Sequence, residues 1–180
     1  MSLANYITLF RILLTPFFFT SLLSYESGKE YHRWVAFGIF LAASLTDALD
    51  GFLARIMKRR TALGRFLDPF ADKLLLLTGY LGLLFVDALP YRPPPWVTVT
   101  IVFHDIVIIA GLVGIYITTG KVTIQPNFLG KCTTVMQMTT LVAILLKRQI
   151  AVVFWYVTAV LTIVSCLNYV LREARKIKTA

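Results

Sequence analysis

The chain has 180 residues, of which 58% are hydrophobic and 15% are charged, and its mean hydropathy is +0.76. Soluble domains carry about 25% charged residues, so this composition excludes an ordinary soluble protein and indicates an integral membrane protein. Lys and Arg total 18 against nine Asp and Glu, which gives a formal net charge of +9. Because the basic residues lie in short segments between apolar stretches and in the tail, they indicate membrane topology and contact with anionic lipid headgroups, with no nucleic-acid partner.

Apolar stretches long enough to cross a hydrocarbon core of about 30 Å recur along the chain, since about 20 helical residues suffice for one crossing. They predict an all-α, polytopic membrane protein with six transmembrane helices, in which residues 1–180 form a single domain. The predicted spans are 5–24, 33–57, 64–89, 95–118, 127–146 and 150–171.

The first span begins ANYITLFRILLTPFFF, with Arg11 inside the apolar stretch and Asn5 and Thr8 six and three residues before it. Its charge and the lack of a small-residue cleavage site favour a spanning helix over a signal peptide. Two interpretations of the polar residues stay open. They form part of a site, or they mark a helix end from which Arg11 reaches the headgroups.

The distribution of basic residues predicts the orientation, because Lys and Arg concentrate in cytoplasmic loops. Six spans put both termini on one side, and the segments on that side carry Lys58, Arg59, Arg60, Arg65, Lys121, Lys131, Arg172, Arg175, Lys176 and Lys178. The opposite side carries Lys29, Arg33, Arg92, Lys147 and Arg148. We therefore expect a multi-pass protein of the cell (inner) membrane with both termini cytoplasmic.

The segment DALDGFLARIMKRRTALGRFLDPFAD, from Asp47 to Asp72, concentrates carboxylates at the cytoplasmic ends of the second and third spans. On a helix, Asp47 and Asp50 share one face, and Asp68 and Asp72 share a face of the next helix. Two helices joined by a short basic loop would bring all four to one cleft. Carboxylates that close together cannot all stay ionised alone, so protons or cations must neutralise them.

Hard oxygen ligands of this kind suit Mg²⁺ or Mn²⁺, which commonly hold a diphosphate. Gly51 and Gly64, with the small Ala54, leave room for a ligand to approach the backbone, and Arg55 offers a planar donor fork for phosphate oxygens. The alternative is a set of interfacial salt bridges with Arg55, Arg65, Lys73 and the basic loop. Charge within a membrane is costly and usually functional, which favours a site.

The same segment matches, at eight positions, the pattern D-x2-D-G-x2-A-R-x8-G-x3-D-x3-D and so resembles the CDP-alcohol phosphotransferases. The resemblance implies a six-helix membrane enzyme, a homodimer, that moves a phosphatidyl group from CDP-diacylglycerol to an alcohol and releases CMP. It implies two divalent ions on Asp47, Asp50, Asp68 and Asp72, with Asp72 also the general base. Gly51, Ala54, Arg55 and Gly64 would line the nucleotide site.

Two further segments resemble the phosphatidylglycerophosphate synthases and imply glycerol 3-phosphate as the acceptor. The first is the Asn5, Thr8 and Arg11 segment, which implies that Asn5 and Thr8 join the nucleotide site. The second is Gly130-Lys131 with the threonines that follow, which implies that Lys131 holds the acceptor phosphate. Arg65 and Arg172, on neighbouring helices, are further candidates for contact with the acceptor phosphate.

His104 and Asp105 depart from the Arg-Glu pair that many of these synthases carry, and related transferase-type cardiolipin synthases tend to show Arg-Asp. A cardiolipin synthase that accepts phosphatidylglycerol is therefore the main alternative. A neutral His104 hydrogen-bonded to Asp105 would also satisfy an intramembrane carboxylate without a catalytic role. Membrane prenyltransferases and cation transporters are more distant alternatives, disfavoured by one tight cluster of acids in a short chain.

Overall fold

The computed structural model describes the backbone of residues 3–56, 62–119 and 128–178. Within these ranges it describes all side chains except those at 3–5, 47–56, 62–66, 68–69, 112, 115–116, 118–119 and 170–178. The described backbone forms six α-helices, which confirms the predicted all-α class. They are α1 Leu3–Leu23, α2 Glu30–Ile56, α3 Ala62–Phe85, α4 Pro95–Thr119, α5 Phe128–Leu145 and α6 Ala151–Lys178.

Some helix ends differ from the predicted spans, because a helix can end before its apolar stretch does or continue beyond it. The third helix stops at Phe85, four residues before the predicted end, ahead of a turn that leads to Pro90. The fourth begins at Pro95, as predicted, because proline suits the first helical position, where no N–H partner is needed. The sixth continues to Lys178, past the apolar stretch, since its Arg, Glu, Ala and Lys residues are good helix formers.

The helices pack as a bundle in which α1 contacts both α2 and α3, and α3 contacts α4. Helix α6 contacts α4 and α5, and α5 also contacts α2 and α3. Phe18, Tyr80 and Leu141 are fully buried at the centre of this arrangement. A Cβ atom at Gly79 would lie 2.9 Å from a methyl carbon of Leu141, so glycine at this position allows α3 and α5 to approach closely.

Polarity is distributed as expected for a protein in lipid. Large apolar side chains such as Phe10, Phe103 and Leu167 are exposed, whereas Arg11 and Asp105 are buried. Such an exposed apolar surface needs a nonaqueous environment, and buried charge inside a bundle is typical of membrane proteins. Among the residues that the structure describes, three helices contain windows long and apolar enough to cross a membrane, at Tyr6–Leu23, Phe128–Leu145 and Ala151–Tyr169. The protein is a polytopic membrane protein.

An ionic cluster ties the start of α2 to the end of α5. Glu30 accepts a hydrogen bond from Lys147 and a second from Arg33 Nε, at 2.7 Å. Arg33 also donates to the backbone carbonyl of Leu145, and the Tyr25 hydroxyl donates to Glu30 at 3.2 Å. Because α2 begins where α5 ends, the end of α2 and the start of α3 lie at the same end of the bundle as the start of α5.

The Glu30 cluster gives the fold a pH dependence that can be measured. The hydrogen bond from Lys147, and then that from Arg33, lower the pKa of Glu30 from 4.5 to about 2. A carboxylate with a depressed pKa stabilises the fold above its unfolded pKa and loses that contribution as the pH falls towards its folded pKa. We expect Glu30→Gln to lower the melting temperature at pH 7, and we expect its difference from wild type to shrink between about pH 4.5 and 2. A difference that is constant over this range would contradict the pairing.

Candidate active site

The Asp47–Asp72 segment lies on the end of one helix and the start of the next. Residues 47–55 occupy the last turns of α2, and Gly64, Asp68 and Asp72 occupy the first turns of α3. Five residues separate the two helices, a connection that spans at most about 20 Å. The helices also contact each other, and α1 contacts both. The backbone therefore brings the four Asp positions to one end of the bundle.

Most side chains of this segment lie outside those the structure describes. This holds for the predicted metal ligands Asp47, Asp50 and Asp68, for the predicted nucleotide-binding residues Asn5, Gly51, Ala54, Arg55 and Gly64, and for the predicted acceptor-binding residues Arg65 and Arg172. The candidate residues whose side chains are described are Asp72, Thr8 and Lys131.

Asp72 lies at the boundary between the candidate site and the core of the bundle. Its side chain is half-buried, whereas its neighbours Ala71 and Lys73 are buried. Successive helical residues differ by about 100° in direction, so Asp72 and Lys73 face different surroundings. Asp72 thus lies on a part of α3 that is packed against the bundle, and its side chain remains partly accessible.

Lys73 is the centre of a buried polar network that joins three helices. Its ammonium Nζ lies 2.8 Å from Asp105 Oδ1 of α4 and 3.2 Å from Gln137 Oε1 of α5. Gln137 Nε2 donates to the same Asp105 oxygen at 3.2 Å, and His104 Nδ1 lies 3.0 Å from it. The Tyr80 hydroxyl donates to the Gln137 backbone carbonyl at 3.1 Å. This network fixes the part of α3 that carries Asp72 against α4 and α5.

The network accounts for the His104-Asp105 pair. The hydrogen bond between these residues, which the sequence allowed as one interpretation, is present, and Asp105 is fully buried. Lys73 supplies a positive charge beside the buried Asp105 carboxylate, so the carboxylate is paired inside the bundle. An acceptor dissolved in water cannot reach the side chain of Asp105, which is fully buried. It can reach Lys131, whose side chain is exposed.

The buried face of α1 is polar at the level of the candidate site. Thr8, Arg11 and Thr15 are all buried, at three- and four-residue intervals that place them on one face. Thr15 Oγ1 donates to the Arg11 backbone carbonyl at 3.0 Å. Since α1 contacts α2 and α3, these residues face the interior of the bundle, and Arg11 does not reach outward to the headgroups.

Lys131 lies in the first turn of α5, at the same end of the bundle as the Asp segment. Its side chain is exposed, unlike that of Thr133, which is buried and donates to the Leu129 carbonyl at 2.8 Å. Helix N-termini carry partial positive charge from their free N–H groups. An exposed ammonium at such an end suits an anion that arrives from water.

The donor set fits a divalent metal by its chemistry. Four carboxylates at one end of a helix pair supply the hard oxygen ligands that Mg²⁺ and Mn²⁺ prefer. Within the described side chains no group of three or more metal-ligating residues occurs, and of the four carboxylates only Asp72 is among them.

Sequence reasoning missed the Lys73, Asp105 and Gln137 network. It placed Lys73 among the cations that could pair with the Asp segment, whereas among the described side chains Lys73 forms an ion pair with Asp105. One signal was available. Lys73 is followed by four leucines and Asp105 lies within an apolar span, and a lysine and an aspartate inside a membrane need partners.

Comparison with known proteins gives consistent matches. The family model described as CDP-alcohol phosphatidyltransferase matches residues 1–164. A probable phosphatidylglycerophosphate synthase of Mycobacterium tuberculosis is 32% identical, over 98% of this chain and 83% of the relative. The CDP-diacylglycerol–glycerol-3-phosphate 3-phosphatidyltransferases of Escherichia coli K12 and Wigglesworthia glossinidia brevipalpis are 32% and 31% identical, over 91% of this chain and 90% of each relative.

Proposed function

This chain belongs to the CDP-alcohol phosphatidyltransferase family, and on that premise we propose that it transfers a phosphatidyl group from CDP-diacylglycerol to glycerol 3-phosphate. The products are phosphatidylglycerophosphate and CMP. Membership in the family makes the chain a membrane-bound transferase, which removes prenyltransferases and cation transporters as alternatives. The observation that carries the choice of substrates is the similarity, over nine-tenths of the chain, to relatives named for this reaction.

The proposed metal and nucleotide sites share the helix ends that carry the Asp segment. Two divalent ions, Mg²⁺ or Mn²⁺, would be held by Asp47, Asp50, Asp68 and Asp72. When bound, they would neutralise charge on the diphosphate of the CDP-lipid. The nucleotide would be bound by Asn5, Thr8, Gly51, Ala54, Arg55 and Gly64. In support, the described Thr8 is buried on α1, the helix that contacts both α2 and α3.

Asp72 is the proposed general base. The acceptor hydroxyl oxygen attacks the phosphorus of the phosphatidyl group, and the bond from that phosphorus to the bridging oxygen breaks. CMP leaves with the bridging oxygen, and the hydroxyl proton passes to the Asp72 carboxylate. The half-buried position of Asp72, on a part of α3 fixed by Lys73, supports this role because a base must be held within reach of the proton.

Lys131 is the proposed ligand of the acceptor phosphate, and Arg65 and Arg172 are proposed to add positive charge beside it. Glycerol 3-phosphate carries about two negative charges near neutral pH, and charge-assisted hydrogen bonds to phosphate are stronger than neutral ones. The exposed position of Lys131, at the end of the bundle that holds the Asp segment, supports this assignment.

We expect Lys131→Ala to raise the KM for glycerol 3-phosphate at least about tenfold, which corresponds to roughly 1.4 kcal/mol of lost charge-assisted contact. The KM for CDP-diacylglycerol should change little. Steady-state kinetics with each substrate varied in turn would measure both values. Lys29→Ala, which removes an exposed lysine from the loop between α1 and α2, is the matched control and should change neither KM. A tenfold rise in the KM for the CDP-lipid would instead place Lys131 in the nucleotide site.

The remaining proposals concern the setting of the enzyme. We propose one catalytic domain over residues 1–180, in the cell (inner) membrane, with the active site and both termini on the cytoplasmic side. The excess of basic residues at that end supports the orientation. A homodimer follows from the family resemblance, and surrounding membrane lipids would cover the exposed apolar side chains.

The acceptor can be tested by CMP release from CDP-diacylglycerol by the purified protein. We expect release with glycerol 3-phosphate, and much less with phosphatidylglycerol, inositol phosphate or serine, each in the presence of Mg²⁺ or Mn²⁺. A preference for phosphatidylglycerol would overturn the acceptor assignment and support a cardiolipin synthase. Loss of release on chelation, with recovery on addition of either ion, would separately test the metal requirement.

A further inference from the structure

Gln137 of α5 is hydrogen-bonded to α3 through both its side chain and its backbone. Its Oε1 accepts a hydrogen bond from Lys73 Nζ at 3.2 Å, and its carbonyl oxygen accepts one from the Tyr80 hydroxyl at 3.1 Å. Gln137 Nε2 also donates to Asp105 Oδ1 of α4 at 3.2 Å. Gln137 and Tyr80 are fully buried. These contacts join α5 to its neighbours in a region that a molecule dissolved in water does not reach.

The location of these bonds gives Gln137 control over how α5 is placed along α3. Helices within a membrane gain little from hydrophobic contact with one another, so their relative position depends on close packing and on hydrogen bonds between them. A buried polar residue fixes the register of packed helices, because a helix that slides leaves its polar groups without partners. The close approach of Gly79 to Leu141 joins α3 and α5 further from the Asp segment. The bonds of Gln137 join them nearer to it.

The register of α3 and α5 matters because the two ends of the acceptor would meet different helices. Asp72, the proposed base, is the residue before Lys73 on α3. Lys131, the proposed phosphate ligand, is six residues before Gln137 on α5, which is about 9 Å along the helix axis. In glycerol 3-phosphate a three-carbon chain separates the reacting hydroxyl from the phosphate. Both ends can be bound at once only if the two helices keep the matching register.

We propose that Gln137 is a positioning residue that sets the distance between the sites for the acceptor hydroxyl and the acceptor phosphate, and so selects acceptors with a three-carbon chain. This inference rests on the proposed function, since it takes Asp72 and Lys131 as the two ends of the acceptor site. Gln137 does not touch the acceptor. It points about 120° away from Lys131 around α5, so a change at Gln137 alters the register without removing a group that binds the phosphate.

The test compares acceptors that differ in length alone: 2-hydroxyethyl, 3-hydroxypropyl and 4-hydroxybutyl phosphate. Each has one primary hydroxyl group and one phosphate, and CMP release from CDP-diacylglycerol by the purified protein measures their use. We expect the wild-type kcat/KM for 3-hydroxypropyl phosphate to exceed that for the other two at least about tenfold, because a misplacement of about 1 Å can cost about 100-fold in rate. Wild type that uses glycerol 3-phosphate without this preference would overturn the present inference alone. Wild type that does not use glycerol 3-phosphate would overturn the proposed function as well.

Gln137→Met removes the side-chain hydrogen bonds of Gln137 and keeps most of its length, while the ion pair between Lys73 and Asp105 remains. We expect kcat with 3-hydroxypropyl phosphate to fall at least about tenfold and its preference over the longer and shorter acceptors to fall below about threefold. The KM for CDP-diacylglycerol should stay within about twofold of wild type, because α5 carries none of the residues proposed to bind the nucleotide. Lower turnover with the wild-type preference for length would show a general structural role and overturn the inference.

Two further variants keep the test decisive. Thr158→Val removes a buried hydrogen bond of 2.9 Å between Thr158 and Thr140, which joins α5 to α6, and should leave the preference for length unchanged. Tyr80→Phe removes the second bond from α3 to Gln137 with little change in shape, and should weaken the preference in the same direction as Gln137→Met. It decides the result if Gln137→Met does not fold. An unchanged preference in Tyr80→Phe, or an equal loss in Thr158→Val, would contradict the assigned role of Gln137.

Discussion

Replacing Asp72 by asparagine is expected to lower kcat by about 10²–10⁴-fold, the usual contribution of a general base, with a much smaller change in affinity for CDP-diacylglycerol. Asparagine keeps the size of the side chain and its place on α3 but cannot take the acceptor's proton. A base acts on the acceptor hydroxyl in the transition state, so its loss reduces turnover more than ground-state binding. Turnover is measured by CMP release, and affinity by equilibrium binding of the CDP-lipid.

Asp68→Asn is the comparison that separates the two proposed roles. As a metal ligand without a base function, Asp68 should be needed for binding of the diphosphate as well as for transfer, and its replacement should abolish activity while the protein still inserts and folds. Near-normal activity of Asp68→Asn at saturating Mg²⁺ would contradict the metal site. Equal losses of binding and turnover in Asp72→Asn would make Asp72 a metal ligand first.

Replacing Lys73 by methionine is expected to destabilise the bundle by about 3–5 kcal/mol, because it leaves the carboxylate of Asp105 buried without its cation. Asp105 is fully buried, and Lys73 Nζ at 2.8 Å is its cationic partner among the described lysine and arginine side chains. Methionine preserves most of the length and the apolar contacts of lysine. The free energy of unfolding can be measured by titration with denaturing detergent in mixed micelles.

Two controls identify the cause of this loss. In the double variant Lys73→Met with Asp105→Asn, no uncompensated charge remains, so the double variant should be more stable than Lys73→Met alone. Lys29→Met breaks an ion pair with Glu26 in which both side chains are exposed, at 60% and 67%, and should change stability by less than about 1 kcal/mol. A double variant less stable than Lys73→Met would show that the ion pair is not the source of the effect.

The fold class could be predicted from the sequence because apolar length alone specifies a spanning helix. The ends of the helices were harder to predict from the sequence, as α6 shows. Its apolar stretch ends well before Lys178, yet the helix continues through the basic residues that follow. The start of α4 was predicted correctly at residue 95, where Pro95 is the first residue of the helix.

The candidate site could likewise be predicted only in part from the sequence. The positions from Asp47 to Asp72 are recognisable because their spacing is local to two adjacent helices. The contact between Lys73 and Asp105 joins residues 32 positions apart, and Gln137 lies a further 32 positions along the chain. Nearly uniform apolar sequence in α4 and α5 leaves no periodicity to show which faces meet. Pairings between such helices depend on packing that the sequence pattern does not reveal.

The central claim, direct transfer of the phosphatidyl group to glycerol 3-phosphate, is tested most directly by isotope analysis of the lipid product. Purified protein would receive CDP-diacylglycerol and glycerol 3-phosphate labelled with ¹⁸O in the hydroxyl group at carbon 1. We expect the label in phosphatidylglycerophosphate and unlabelled CMP in equal amount, because the acceptor oxygen forms the new bond to phosphorus and CMP keeps the bridging oxygen. CMP accumulating while all the label stays in free glycerol 3-phosphate would contradict the claim.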